Sequence, residues 1–98
     1  MRIQILASAI DDLADGRDFY DLQERGVGDY FQDCLFLDID SLLIHAGMHR
    51  SIFGYHRLLS RRFPYAVYYR VEQPDLVTVH RVLDCRRDPA RIRESLNP

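Results

Sequence analysis

The chain has no lysine and no tryptophan among its 98 residues, and it has few cysteines, two in all. With lysine absent, every basic side chain is an arginine, whose planar fork suits carboxylate and phosphate where lysine offers a point charge. Cys34 and Cys85 form no CxxC motif. Two reduced thiols, at least one of them buried, are expected rather than a disulfide. No apolar run approaches the length of a membrane span. The start, MRIQILASAIDD, lacks a basic region followed by a long apolar stretch, so no signal peptide is expected and a soluble cytoplasmic protein follows. There is no internal repeat, low-complexity segment or linker, and the length suits one domain over residues 1–98. His45 and His49 have the i, i+4 spacing of a helical metal pair. Gly47 between them marks a helix end, and no carboxylate or cysteine lies close by in sequence, so no metal is expected. Nothing supports a small-molecule cofactor.

The net charge of −2 conceals a polarity. Met1 to His49 holds ten acids and three arginines, or −7; Arg50 to Pro98 holds ten arginines and five acids, or +5. The second half is thus expected to present a cationic surface to an acidic partner or a nucleic acid.

Met1 to Leu6 alternates with Ile3 and Ile5 on one face and reads as a first strand. Ser8 is a candidate cap for a helix running to about Gln23, with Leu6, Ile10, Leu13 and Tyr20 on one side. Arg25-Gly26-Val27-Gly28 breaks it, and Asp29 is placed to cap a second helix to about His45. Phe31, Leu35, Ile39, Leu42 and Ala46 form that helix's main stripe, while Tyr30, Leu37 and Ile44 lie on another face. The first helix and the sheet are expected to cover these two sides; the alternative is a protein–protein face at Tyr30, Leu37 and Ile44. Tyr55 to Phe63 reads as a strand of ambiguous facing, because Leu58 and Leu59 point oppositely. Tyr65, Val67, Tyr69 and Val71 then alternate with Ala66, Tyr68, Arg70 and Glu72. Gln73-Pro74-Asp75 forms a turn, and Leu76 to Cys85 resumes as a β-branched strand. Asp88-Pro89 suits the start of a short helix over Ala90 to Leu96. The order β-α-α-β-β-β with a short C-terminal helix implies an α+β domain, an antiparallel-rich sheet with an N-terminal helical hairpin packed on it.

Four segments carry a resemblance. They are Ser8-Ala9-x-x-Asp12-Leu13 with Phe19-Tyr20, Gly26-x-Gly28-Asp29-x-Phe31, Phe63-Pro64-Tyr65, and Arg86-Arg87-Asp88-Pro89. In this order and spacing they resemble the RelE/ParE toxins of type II toxin–antitoxin systems, most of all the ParE-like or plasmid-stabilisation branch. The resemblance implies a growth-inhibiting toxin neutralised by a cognate antitoxin, and it implies one of two targets. RelE-like members cut mRNA on the ribosome; ParE-like members poison DNA gyrase.

Cleavage through a 2′-hydroxyl needs a base, an acid and cations for the phosphorane charge. The arginines supply cations, but the stretch Leu83 to Asn97 contains no tyrosine or histidine. Asp84 stands where many relatives have histidine, and Ala66 where a nuclease arginine is expected. A nuclease reading would therefore rest on Asp84, Arg87, His56 and His80. The incomplete set favours gyrase inhibition by protein–protein contact, with Arg57, Arg61, Arg62, Arg86 and Arg87 as target-binding residues. Arg70, Arg81, Tyr30, Leu37 and Ile44 are then the residues expected to meet the antitoxin. A degenerate, non-toxic binding module is the third possibility.

Overall fold

The structure, a computed structural model, describes residues 1–72 and 74–97. The elements in chain order are β1 (Arg2–Ile5), α1 (Ala7–Gln23), α2 (Val27–Asp40), α3 (Leu42–His45), β2 (Ser51–Ile52), β3 (Tyr55–Leu59), β4 (Tyr65–Glu72), β5 (Leu76–Asp84) and α4 (Pro89–Leu96). They build a five-stranded sheet in the order β1-β5-β4-β3-β2. β1 pairs parallel with β5, Ile3 opposite Val77 and Ile5 opposite Val79, and the remaining pairs are antiparallel. This is the expected α+β arrangement, with a one-turn α3 and a two-residue β2 added to it. Gln73, assigned to the hairpin turn from sequence, lies outside the described residues.

The sheet is covered on both sides, which is why β4 is apolar along both of its faces. Tyr65, Val67 and Tyr69 face α1, α2 and α3, where Leu13, Phe31, Leu35, Ile39 and Leu42 complete the main core. Ala66 and Tyr68 face the other way and pack with Tyr55, Leu83 and the α4 residues Ile92 and Leu96. A bulge makes this possible on β5. Tyr68 pairs with Arg81 but Tyr69 pairs with Val79, leaving His80 as the extra residue. The slip of one position lets Val77, Val79 and Val82 all reach the helix-side core.

Several boundaries differ from the expected ones. α1 begins at Ala7 with no side-chain cap; Ser8 instead donates from Oγ to the His80 carbonyl, 2.7 Å away. Its buried face is Ala9, Asp12, Leu13 and Gly16, while Ile10 is 54 % exposed. A stripe of small residues and one carboxylate is invisible to hydropathy. α2 starts at Val27 after Gly26 turns the chain at φ 94°. Asp29 does not cap it. Asp21 does that work from α1, its Oδ1 accepting the Gly26 and Gly28 amides at 3.2 and 2.8 Å. A Cβ on Gly28 would press into the Arg17 carbonyl and lie 2.7 Å from Asp21 Oδ1, so the hairpin needs glycine there. Asp29 instead accepts from Arg17 Nη2 at 2.7 Å. β3 ends at Leu59 rather than Phe63, because Phe63 turns into an aromatic cluster with Tyr20, Tyr30 and Phe31. Asp88 caps α4 as expected, accepting the Ala90 amide at 3.0 Å.

Candidate functional site

The β3–β4 loop and the β5–α4 turn lie side by side at one end of the sheet. Ser60 N–H donates to the Tyr65 carbonyl at 2.9 Å, and Cys85 N–H donates to the Pro64 carbonyl at 2.7 Å. Arg61 and Arg62 therefore come to the same end as Arg86 and Arg87. Arg57 projects from β3 on the α4 side, beside Tyr68 and Cys85. Five arginines expected to bind a target thus share one end of the molecule. They are not equivalent. Arg86 is held by Asp84, which accepts its Nη2 at 2.7 Å, its Nε at 3.0 Å and its backbone amide at 2.8 Å. No carboxylate pairs with Arg57, Arg61, Arg62 or Arg87 among the described residues.

Between the arginine turn and α1 lies a cavity of about 350 Å³, lined by Asp15, Gly16, Phe19, Tyr65, Asp84 and Arg86 among others. The Arg86 hydrogen bond holds the Asp84 carboxyl below the usual carboxylate range, against a smaller opposing effect of burial. Burial pushes the Tyr65 hydroxyl up to about 12, and Asp84 adds to the shift. Burial also raises Tyr20, with Arg86 opposing. Asp84 is thus an ionised acceptor already committed to its neighbour, and neither phenol is primed to give up its proton.

The four residues of the nuclease reading are not brought together. Asp84 and Arg87 lie at the arginine end. His56 is on the helix side of β3, stacked on Tyr69 and donating from Nδ1 to the His49 carbonyl at 2.8 Å. His80 is on the opposite side, its ring 5.1 Å from that of Tyr55, with burial and then Arg70 lowering its pKa. The sheet itself separates the two histidines.

Of the residues expected to meet a partner, Tyr30, Leu37 and Ile44 are exposed, Leu37 by 69 % and Ile44 by 80 %. The second apolar face of α2 is therefore not covered by α1 and the sheet, contrary to the first expectation. Leu43 and Met48, close by in the chain, are exposed as well. Beside it a groove of about 430 Å³ runs between α2–α3 and β3, bounded by Leu37, Ser41, His45, Leu58, Leu59 and Arg61 among others. Arg70 is exposed and donates from Nε to the Gly54 carbonyl at 3.1 Å. Arg81 is drawn inward. Its Nε and Nη2 donate to Asp12 at 2.7 and 2.8 Å, and its Nη1 donates to the Ser95 carbonyl at 3.0 Å.

Asp12, Tyr20 and Tyr65 escaped assignment from the sequence, although Asp12, Tyr20 and Tyr65 all lie in the motifs quoted above. Asp12 also accepts the Val82 amide at 2.9 Å. With Ser8 it closes the part of the β5 edge that β1 is too short to reach. Cys34 is half-buried and Cys85 exposed, both free thiols, so the buried thiol expected is met only in part by Cys34. Among the described residues no three His, Cys, Asp or Glu side chains are placed to hold a metal ion, and no helix is long and apolar enough to cross a membrane.

A family model described as the ParE toxin of the type II toxin–antitoxin system parDE matches residues 3–89. A solved structure, a chromosomal ParDE toxin–antitoxin system from P. aeruginosa, superposes with a TM-score of 0.74 at 17 % identity, covering 84 % of this chain and 92 % of that one. No curated protein sequence matches the chain.

Proposed function

Because this chain belongs to the ParE toxins of type II toxin–antitoxin systems, we propose that it arrests growth by protein–protein contact with DNA gyrase and is neutralised by a cognate antitoxin. One observation supports the choice of target: among the described residues, the four candidates of the nuclease reading are not assembled into an acid–base pair. Asp84 is ion-paired to Arg86, and His56 and His80 stand on opposite faces of the sheet. Message cleavage needs both partners at one phosphate. Recognition needs only charge and shape, and the arginine end offers both, with Arg57, Arg61, Arg62 and Arg87 free of carboxylate partners among the described residues.

The antitoxin takes the other surface. The open face of Tyr30, Leu37 and Ile44 suits an amphipathic helix, and the groove beside it suits an extended segment. β2 pairs with β3 at Tyr55 and His56 alone, so the outer edge of β3 beyond Arg57 is open to an added strand. That groove ends at Arg61 and Arg62, so acids on an antitoxin tail would be drawn there and would mask part of the target-binding end.

The test uses the purified, antitoxin-free chain in two assays, supercoiling by gyrase and message cleavage on translating ribosomes. Inhibited supercoiling with intact message is expected. Cut message with unaffected gyrase would replace this reading with the ribosome-dependent endonuclease. Neither effect, together with normal growth on expression of soluble protein, would mark a non-toxic binding member.

A further inference from the structure

Ile52 and Tyr55 pair across a two-residue turn, Phe53-Gly54, that joins β2 to β3. Both turn residues have positive φ, 55° at Phe53 and 82° at Gly54. This is the backbone of a type I′ hairpin turn, which matches the twist of the strands and favours Asn-Gly. Glycine in the second position is ordinary; phenylalanine in the first is not. A Cβ in the left-handed region crowds the following carbonyl, at a cost of about 1–2 kcal/mol. Among the described residues Phe53 alone adopts positive φ without being glycine.

The ring gains no place in the interior that would offset this strain. Phe53 belongs to neither core cluster and is 40 % exposed. Its surroundings instead fix the tip and charge it. Arg70 donates from Nε to the Gly54 carbonyl at 3.1 Å while its guanidinium lies 4.0 Å from the Tyr55 ring centre. From α4, the Arg93 guanidinium stands 5.9 Å from the Phe53 ring centre. Neither Arg70 nor Arg93 has a carboxylate partner among the described residues. Three elements thus converge on this turn: an exposed aromatic ring, a guanidinium 5.9 Å from it, and a second guanidinium bracing the Gly54 carbonyl. The open apolar face of α2–α3 lies across the sheet from it.

We propose that Phe53, with Arg93 beside its ring and Arg70 bracing its turn, is an anchor with which this toxin grips its target protein, the ring entering an apolar pocket rimmed by carboxylates. Aromatic and arginine side chains dominate the energetics of protein interfaces. The two cations at the turn, neither paired with a carboxylate among the described residues, select an acidic rim. A rigid strained turn loses little freedom on docking. The proposal rests on the reading of the chain as acting by protein contact, and adds to the arginine end a second point of contact at the β2–β3 turn.

The strain makes the test specific. Phe53→Asn installs the residue the turn prefers. An anchor predicts opposite signs: an unchanged or higher melting temperature by circular dichroism, growth arrest lost on induction in a bacterial host, and gyrase inhibition weakened at least tenfold. Arg93→Glu, on the surface of α4, should weaken both activities with the fold intact, and it decides the matter if Phe53→Asn fails to fold. Wild-type toxicity in folded Phe53→Asn, or in Arg93→Glu, overturns the proposal. If the wild-type chain arrests growth without touching gyrase, the gyrase reading falls and Phe53 is judged on growth arrest alone. A wild-type chain that arrests nothing overturns the anchor as well.

Discussion

Asp12 accepts from three donors at once, the Val82 amide and two nitrogens of Arg81. Asp12→Ala would strand a guanidinium that is three-quarters buried, with one remaining bond to the Ser95 carbonyl. A loss of about 3–5 kcal/mol is expected in urea unfolding, and Asp12→Leu with Arg81→Met should lose much less, because the pair then leaves no unpaired charge. Histidine gives the second prediction at this scale. Gly47 N–H donates to the Tyr69 hydroxyl at 3.0 Å, leaving its proton for Nδ1 of neutral His49. Burial first, then His56 and His45, lower the His49 pKa from 6.5, and His80 is lowered too. Below 6.5 the unfolded chain therefore binds more protons than the folded one. Stability should be complete above about 6.5, fall as the pH drops below it, and fall less steeply in His49→Gln, as urea midpoints across that range will show. The sequence revealed which residues were charged, not which were spent. Arg57 and Arg81 look alike in the chain, and Arg81 meets a partner 69 positions away. Phe53 shows nothing unusual until its φ is known.

Helices and strands were legible wherever one face of an element is apolar and the other polar. The stripe of Phe31, Leu35, Ile39 and Leu42 is buried as read, and the alternation from Tyr65 to Glu72 is β4. Errors cluster where long-range chemistry sets a boundary. α2 begins at Val27 because Asp21 reaches across from α1, and β5 changes facing at a bulge that no period-two pattern can express. The helical hairpin gives the prediction proper to this scale. Gly28→Ala puts a methyl group against the Arg17 backbone, and the two helices must move apart. That should cost about 1–3 kcal/mol despite alanine's better helix propensity. Gly26→Ala meets open space and suffers only from its φ of 94°, about 1–2 kcal/mol. Thermal denaturation of both variants should show Gly28→Ala as the less stable.

Across the whole molecule, order in the chain becomes order in space. The acid-rich first half forms the helical layer, and many arginines of the second half lie on the sheet end and the α4 side. Charge is thereby split between two layers although the net charge is small. Steering by such a surface weakens as salt shortens its reach. Association with the antitoxin should slow about tenfold between about 0.05 and 0.5 M salt in stopped-flow measurements, with dissociation changing less. An unchanged association rate would remove electrostatics from the encounter. Arg81 bears on the molecule as a whole in another way. It passes round the open margin of β5, gripping Asp12 of α1 on one side and the Ser95 carbonyl of α4 on the other. It works as a bolt through a plate: slackening one nut frees both faces. The two layers should then open as one cooperative unit rather than peel separately. Amide hydrogen exchange at Ile92 and Leu96 should quicken in Asp12→Asn, a change made on the far side of the sheet.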